Sequence, residues 1–330
     1  MPKFVRFQSL GGPEVLVLEN EPVPEPGKDE VRLKVQAVGL NRAESVFIRG
    51  YYFEKPNLPG KLGYEASGIV EAVGEGVDRA WLGKRVSTVP GFSMNKYGVL
   101  GEVAIVPARV FAEYPSQLSS TQGAAIWMQY LTAYGALVHL GGLKAGDFVS
   151  IPAASSSVGL AAIQIVRDAG ATSIAATRTA EKRAELLELG ADHVIVTGEE
   201  DYVARAQQIT GGMGVRLTFD PVAGPFVEKL AEAASDGGIV FIYGGLSMQP
   251  TPFPAMAAMR HGLTLRGYTL LEITANPAVL ETAKRYVFDR LADGRFVPKI
   301  ARTFPLAQVV DAYKYLESNQ QVGKVVITVP

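Results

Sequence analysis

The stretch Ile151 to Val166, IPAASSSVGLAAIQIV, sets a small-residue turn between an apolar strand end and a helix. A helix start binds anions through its free N–H groups and partial positive charge, and dinucleotide cofactors place a pyrophosphate there. In the glycine fingerprint of that site, the second glycine lets the backbone approach the pyrophosphate, and the third lets the helix pack on the strand. Here the three places hold Ala154, Ser156 and Gly159, so only the packing glycine is left. Ser155, Ser156 and Ser157, followed by Val158, are nevertheless candidate cofactor contacts, because hydroxyls donate to phosphate oxygens if the turn keeps negative φ. Taken alone, the turn fits an anion site and a strand-to-helix turn that merely packs equally well.

The next strand end discriminates further. An NAD site wants a carboxylate there for the ribose 2′-hydroxyl, whereas NADP wants a cation and no carboxylate. The chain offers Thr177, Arg178 and Thr179, with Lys182 and Arg183 one turn later; the first acid, Glu181, already lies in the helix. Arg178 presents a planar fork suited to a 2′-phosphate, with Lys182 as a point charge beside it. Cations at a helix start oppose its dipole and call for an anionic partner. The pattern points to NADP(H).

These residues need a parallel sheet to position them. From Gly123 on, FVSI, TSIAAT, HVIV, RLTFD and IVFIYGG read as short apolar strands separated by helical stretches, a βαβ series whose ligand sits at the carboxyl ends of the strands. Before about Gln122 the runs are short, β-rich and broken by Gly and Pro clusters, as in a compact barrel-like lobe. After LTLRGYTL the chain reads helix, strand, helix and a last strand GKVVITV, which we assign to the first lobe. A length of 330 residues suits two domains. The near balance of 32 basic against 33 acidic residues, without a basic block, gives a nucleic-acid partner no electrostatic support. No clean spanning run or charged-then-apolar leader is present, so we expect a cytoplasmic protein with no membrane partner. The absence of cysteine rules out disulfides and thiolate zinc sites.

Several stretches together, PGKDEVRLKVQAVGLNRAESVFIRG, LGYEASGIVEAVGEGV, LTAY at 131 to 134, LKAGDFVSIPA, LLELGADHVI, FDPVAG at 219 to 224 and GKVVI, carry a resemblance over essentially the whole chain. The sequence resembles the medium-chain dehydrogenase/reductase superfamily, specifically its zinc-free quinone oxidoreductase (zeta-crystallin-like) branch. The resemblance implies an α/β protein with a GroES-like β-rich catalytic domain (residues 1–123 and 271–330) and a doubly wound Rossmann domain (residues 124–270). It also implies a cleft between them and a homodimer joined through the last Rossmann strand, LTLRGYTL. By matched position, Thr132 faces the nicotinamide side of the phosphates, Val222 and Ala223 flank the adenosine, and Tyr243, Gly244, Gly245 and Leu246 border the nicotinamide. Asn319 stands where similar quinone reductases often carry a basic residue at the adenosine end, and Thr197 where they carry tyrosine.

The segments that hold zinc ligands in the family's alcohol dehydrogenases carry Asn41 and Tyr64 here, and neither type does a thiolate's or an imidazole's work. His139, His193 and His261 are not paired at ligand spacing. We therefore expect no metal, and read Glu65 as a structural remnant, hydrogen-bonded beneath the cleft. Catalysis then rests on positioning and neutral donors: Asn41, which is also a cofactor contact, or Tyr52 holds the substrate oxygen, and Tyr52, in preference to its neighbour Tyr51, or water supplies the proton. The expected activity is NADPH-dependent reduction of a small electrophilic acceptor, a quinone or an activated alkene such as an enone. The alternatives are an NADP(H)-binding sensory or scaffolding protein without turnover and a zinc-free alcohol dehydrogenase. Met94, Met128, Met248, Phe53, Phe92 and Trp127 suit either an apolar pocket or the core.

Overall fold

A computed structural model describes residues 1–330 apart from Pro24. The chain divides into two compact units, Met1–Met128 with Val297–Pro330, and Gln129–Phe296.

The second unit is built on six parallel strands in the spatial order His193–Val196, Thr172–Thr177, Phe148–Ile151, Val215–Asp220, Ala234–Ile242 and Thr264–Gly267. Successive strands run outward from Phe148–Ile151 in one direction and then in the other. The reversal between Phe148–Ile151 and Val215–Asp220 is where an open α/β sheet forms its ligand crevice. Thr172–Thr177 and Val215–Asp220 are buried almost throughout, as strands covered on both faces must be. The helix Ser157–Asp168 covers the sheet with Leu160, Ile163, Ile165 and Val166, and its alanines at 161 and 162 are small enough to bring it close.

That close approach fixes Gly159. A Cβ there would lie 2.5 Å from the Ala154 carbonyl oxygen and 2.7 Å from its Cα. The glycine expected to pack helix on strand is thus required by contact.

In the first unit a seven-stranded sheet runs Ile300–Pro305, Lys324–Thr328, Glu30–Gly39, Glu65–Val73, Arg85–Thr88, Phe111–Glu113, with Val103–Pro107 also pairing with Glu30–Gly39. Only the pair Ile300–Pro305 and Lys324–Thr328 is parallel. The closing strand reaches the middle of this sheet by pairing Val326 with Gly39 and Ile327 with Val38. Phe7, Phe47, Leu33, Val35, Val86 and Tyr313 form the centre of its core.

The stretch 271–296 groups with the second unit, although the sequence led us to expect it in the first. The helix Pro277–Ala292 is fastened there by Arg290 Nε, 2.5 Å from Asp168 Oδ2 at the end of Ser157–Asp168, and by Arg295 Nη1, 2.6 Å from Asp168 Oδ1. Phe296 stacks on Tyr130 with centroids 4.9 Å apart. Charge partners, which the apolar pattern of the helix does not reveal, decide its side. Among the described residues no helix is long and apolar enough to cross a membrane.

Replacing Gly159 with Ala forces a shift of the turn or the helix, and should lower stability by about 1–3 kcal/mol, the usual scale of overpacking. Denaturant unfolding measures this directly; an unchanged midpoint would mean that the turn yields freely.

Candidate active site

At the carboxyl end of Phe148–Ile151 the serines keep negative φ where it matters. Ser156 has φ −67° and caps the helix Ser157–Asp168, its Oγ accepting the Gly159 N–H at 3.0 Å. The capping bond uses a lone pair of the oxygen and leaves the hydroxyl hydrogen to donate. The left-handed conformation of the turn falls instead on Ala153, at φ 49°. Ser155 Oγ accepts from Lys182 Nζ at 3.0 Å, so the ammonium lies over the turn.

Thr177 ends its strand with its carbonyl accepting the Thr197 N–H at 2.8 Å. Beyond it Arg178 is exposed and forms no ion pair with the described residues. Lys182 is half-buried, and burial together with the neighbouring Arg178 charge pulls its pKa below the usual lysine value. Arg183 is tied to Glu200 instead. Two cations therefore stand at the strand end, and Glu185 and Glu181 offset the Lys182 charge only in part, since its pKa stays below the usual value.

The loop after Val215–Asp220 is shaped by a residue for which the sequence suggested no role. Asp220 is fully buried and accepts the N–H of Val222 at 2.8 Å and of Ala223 at 2.9 Å, which holds Ala223 at φ 56°. Burial raises its pKa, and these two bonds work against that rise. Leu246 N–H donates to the Pro221 carbonyl and Ser247 N–H to that of Val222, joining the two loops. Tyr243 stacks on Phe219 with centroids 4.0 Å apart, and its buried hydroxyl lacks a partner. Ser156 is its polar neighbour, and burial lifts the phenol well above its ordinary pKa. Gly245 and Leu246 are exposed beside it, Gly244 is half-buried, and Thr132 is buried within the helix Trp127–Ala133. Thus the turn, the cation pair and the loops carrying Val222 and Tyr243 all lie at the carboxyl ends of one sheet.

The first unit holds a buried polar network. Asn41 precedes the helix Arg42–Ile48; its Nδ2 donates to the Gly39 carbonyl at 3.0 Å and to Glu44 Oε1 at 3.2 Å. Its Oδ1 accepts from Lys324 Nζ at 2.7 Å. Both amide hydrogens are therefore spent inside the lobe, and this corrects the expectation that Asn41 donates to the substrate oxygen. Glu44 also accepts from the N–H of Asn41 at 2.9 Å, the N–H of Tyr64 at 3.0 Å and the hydroxyl of Tyr313 at 2.7 Å. Burial raises its pKa, and these donors oppose the rise. Glu65 is structural, as expected: Oε1 takes the N–H of Ile126 at 2.9 Å and of Met128 at 3.1 Å, while Oε2 lies 2.6 Å from Lys324 Nζ.

Tyr52 is half-buried between the rings of Phe47 and Tyr64, at centroid distances of 6.3 and 6.2 Å, whereas Tyr51 is 72% exposed. Burial holds the Tyr52 phenol above its ordinary pKa, while the Tyr64 hydroxyl beside it acts in the opposite sense. The loop is pinned through Glu54, which accepts from Ser93 Oγ and from Asn95 Nδ2. Met94, Phe92 and Trp127 belong to the core, the last donating Nε1–H to Ser87 Oγ at 2.7 Å, while Phe53 and Met248 are exposed. Asn319 adopts φ 59° and accepts from Arg42 Nη2 at 2.6 Å, so a guanidinium lies next to the position where a basic residue was missed. His261 Nδ1 is 3.0 Å from Asp236. Lys324, Glu44 and Asp220 escaped the sequence reading because nothing in their local pattern marks them; only the buried position of a charged residue does.

Residues 27–116 match the alcohol dehydrogenase GroES-like domain family, and residues 157–285 the zinc-binding dehydrogenase family. A quinone oxidoreductase of Homo sapiens is 31% identical over 328 residues, covering 98% of this chain and 96% of that protein. A 2-haloacrylate reductase of Burkholderia is 28% identical, covering 96% of both. The crystal structure of Escherichia coli quinone oxidoreductase complexed with NADPH superposes with a TM-score of 0.90 at 28% identity, covering 99% of both chains. Full-length similarity at this level, on a six-stranded Rossmann sheet and a GroES-like unit, shows that the chain belongs to the medium-chain dehydrogenase/reductase superfamily of oxidoreductases and has quinone oxidoreductases among its relatives.

Proposed function

We propose that the protein is an NADPH-dependent reductase of quinones or conjugated alkenes that works without zinc. The observation that carries the cofactor choice is the pair of adjacent cations, Arg178 and Lys182, at a strand end without a carboxylate. The residues present suit NADPH: the orphaned Tyr243 hydroxyl beside Ser156 offers a hydrogen bond to a ligand, and the helix start and Lys182 favour phosphate. When bound, NADPH supplies hydride. Ser155, Ser156 and Ser157 with Val158 hold the pyrophosphate, Arg178 and Lys182 the 2′-phosphate, and Val222 and Ala223 flank the adenosine. Thr132, Thr177, Tyr243, Gly244, Gly245 and Leu246 line the remainder, and Asn319 is assigned to the adenosine end by its matched position.

On the substrate side, Tyr52 donates a hydrogen bond to the oxygen that gains negative charge, and then its proton, directly or through water. A phenol whose pKa is raised stays protonated at neutral pH, which suits a donor and disqualifies a base. Asn41 is assigned to the cofactor by its matched position in the family. Glu65 Oε2 and Asn41 Oδ1, at former metal-ligand segments, both accept from the Lys324 ammonium, which supports the zinc-free reading. With no group here to deprotonate an alcohol, an electron-poor acceptor is the better substrate. A homodimer through the edge strand Thr264–Gly267 is supported by its single neighbour in the sheet and by exposed Met256 and Met259 on the preceding helix.

NADPH should bind more tightly than NADH, and Arg178→Ala should narrow that difference by about 1–3 kcal/mol, the scale of a hydrogen bond to a charged group; equal dissociation constants in the parent chain would refute the cofactor assignment. NADPH oxidation with a quinone or an enone should outpace NADP reduction with simple alcohols, and Tyr52→Phe should slow it by ~10²-fold. Faster alcohol oxidation would overturn the mechanism, and tight NADPH binding without any turnover would favour a sensory role. Light scattering should give twice the chain mass, and a monomer at micromolar concentration would dismiss the edge-strand dimer.

A further inference from the structure

The strand Val215–Asp220 ends on a buried carboxylate. Asp220 is 0% exposed, and among the described residues no cation acts on it. Its strand lies between Phe148–Ile151 and Ala234–Ile242, on the flank of the reversal where the sheet opens its crevice. The phenols of Tyr202 and Tyr243 lie close enough to feel its charge, and the Tyr202 hydroxyl is engaged with Ser150 Oγ at 2.6 Å. A carboxylate so placed depends on directed N–H groups.

Those groups come from the loop that follows. Oδ1 accepts the Val222 N–H at 2.8 Å and Oδ2 the Ala223 N–H at 2.9 Å, so the two oxygens take successive amides. The bend puts Ala223 at φ 56° and Gly224 at φ 64°. An alanine resists that conformation, and the two charge-assisted bonds hold it there. In the bent loop the Pro221 carbonyl accepts the Leu246 N–H at 2.9 Å, and the Val222 carbonyl accepts the Ser247 N–H at 3.0 Å. The fit is close: a Cβ on Gly244 would come within 2.8 Å of the Pro221 oxygen, and one on Gly224 within 2.4 Å of Ser247 Oγ. The loop 243–247 therefore hangs on the loop 221–224, which hangs on Asp220.

We propose that Asp220 is a positioning residue of the cofactor crevice: by accepting two successive N–H groups it holds the left-handed turn at Ala223, and through the carbonyls of Pro221 and Val222 it sets the loop 243–247 as well. One buried carboxylate thereby shapes both loops that follow the strands Val215–Asp220 and Ala234–Ile242 at the crevice of this unit. The role rests on the NADPH-dependent reading above. A purely structural carboxylate changes stability alone, whereas a positioning one changes the affinity of the folded protein.

The test uses the parent chain, Asp220→Asn, and Asp220→Asn combined with Ala223→Gly, read by thermal unfolding, NADPH titration and steady-state reduction of a quinone. Asp220→Asn keeps the shape of the side chain but turns one acceptor into a donor that faces an N–H. It should unfold cooperatively, bind NADPH about 5-fold or more weakly, and raise KM for NADPH by a larger factor than it lowers kcat. Glycine enters the left-handed region freely, so the double variant should bind NADPH about 3-fold or more tightly than Asp220→Asn, although it adds no hydrogen bond. A folded Asp220→Asn chain with parental affinity would overturn the inference, as would a double variant that binds no more tightly than the single one. If Asp220→Asn does not fold, Asp220→Ser, whose shorter side chain leaves one of the two N–H groups unserved, is read in the same way with and without Ala223→Gly. A parent chain that binds NADPH but reduces no quinone sinks the proposed reaction alone, since the titrations still decide here; a parent chain that fails to bind NADPH sinks both.

Discussion

The first unit depends on one buried ion pair. Lys324 comes from the last strand, Glu65 from the middle of the sheet and Asn41 from the start of a helix, and the ammonium touches the other two. Charges this deep persist only when each lone pair and hydrogen finds a partner, and removing one member costs about 3–5 kcal/mol. Here the partners are nearly complete: both Glu65 oxygens and both Asn41 amide hydrogens are engaged, and Glu44 collects donors from Asn41, Tyr64 and Tyr313. The network explains why the final strand must return to pair beside Gly39, since that pairing delivers the lysine.

The second unit shows how a strand-to-helix turn keeps its form after the loss of its glycines. A glycine-rich turn works through backbone approach, whereas this one works through Ser156 as a helix cap and Ser155 as the acceptor for Lys182. The strained conformation moves to Ala153, a residue that tolerates it at a cost of about 1–2 kcal/mol. Gly159 alone could not be exchanged, because its demand is contact with Ala154 and not a special φ. Tyr243 stacks on Phe219 with its buried hydroxyl beside Ser156.

The two units divide the chemical labour by residue type. In the proposed reaction the second would supply a helix start and cations suited to phosphate; the first has a fixed amide, a half-buried phenol and a carboxylate paired with an ammonium. A phenol raised by burial and a carboxylate saturated by an ammonium leave no strong base in this lobe's network. That balance favours reduction of an activated acceptor over oxidation of an alcohol.

Much of this was legible in the chain itself. The βαβ texture, the packing role of Gly159 and the cations at 178 and 182 follow from local spacing and residue type, because backbone periodicity and helix-start chemistry are local, whereas the structural reading of Glu65 came through the family resemblance. The sequence could not show that both Asn41 hydrogens are spent, that Arg42 stands against Asn319, or that the helix Pro277–Ala292 fastens to Asp168. Each of these depends on hydrogen bonds between residues more than a hundred positions apart, or on competition for a single donor. Local pattern determined which groups the protein carries; the tertiary structure decided which remain free to act, because a buried polar group must first satisfy its neighbours.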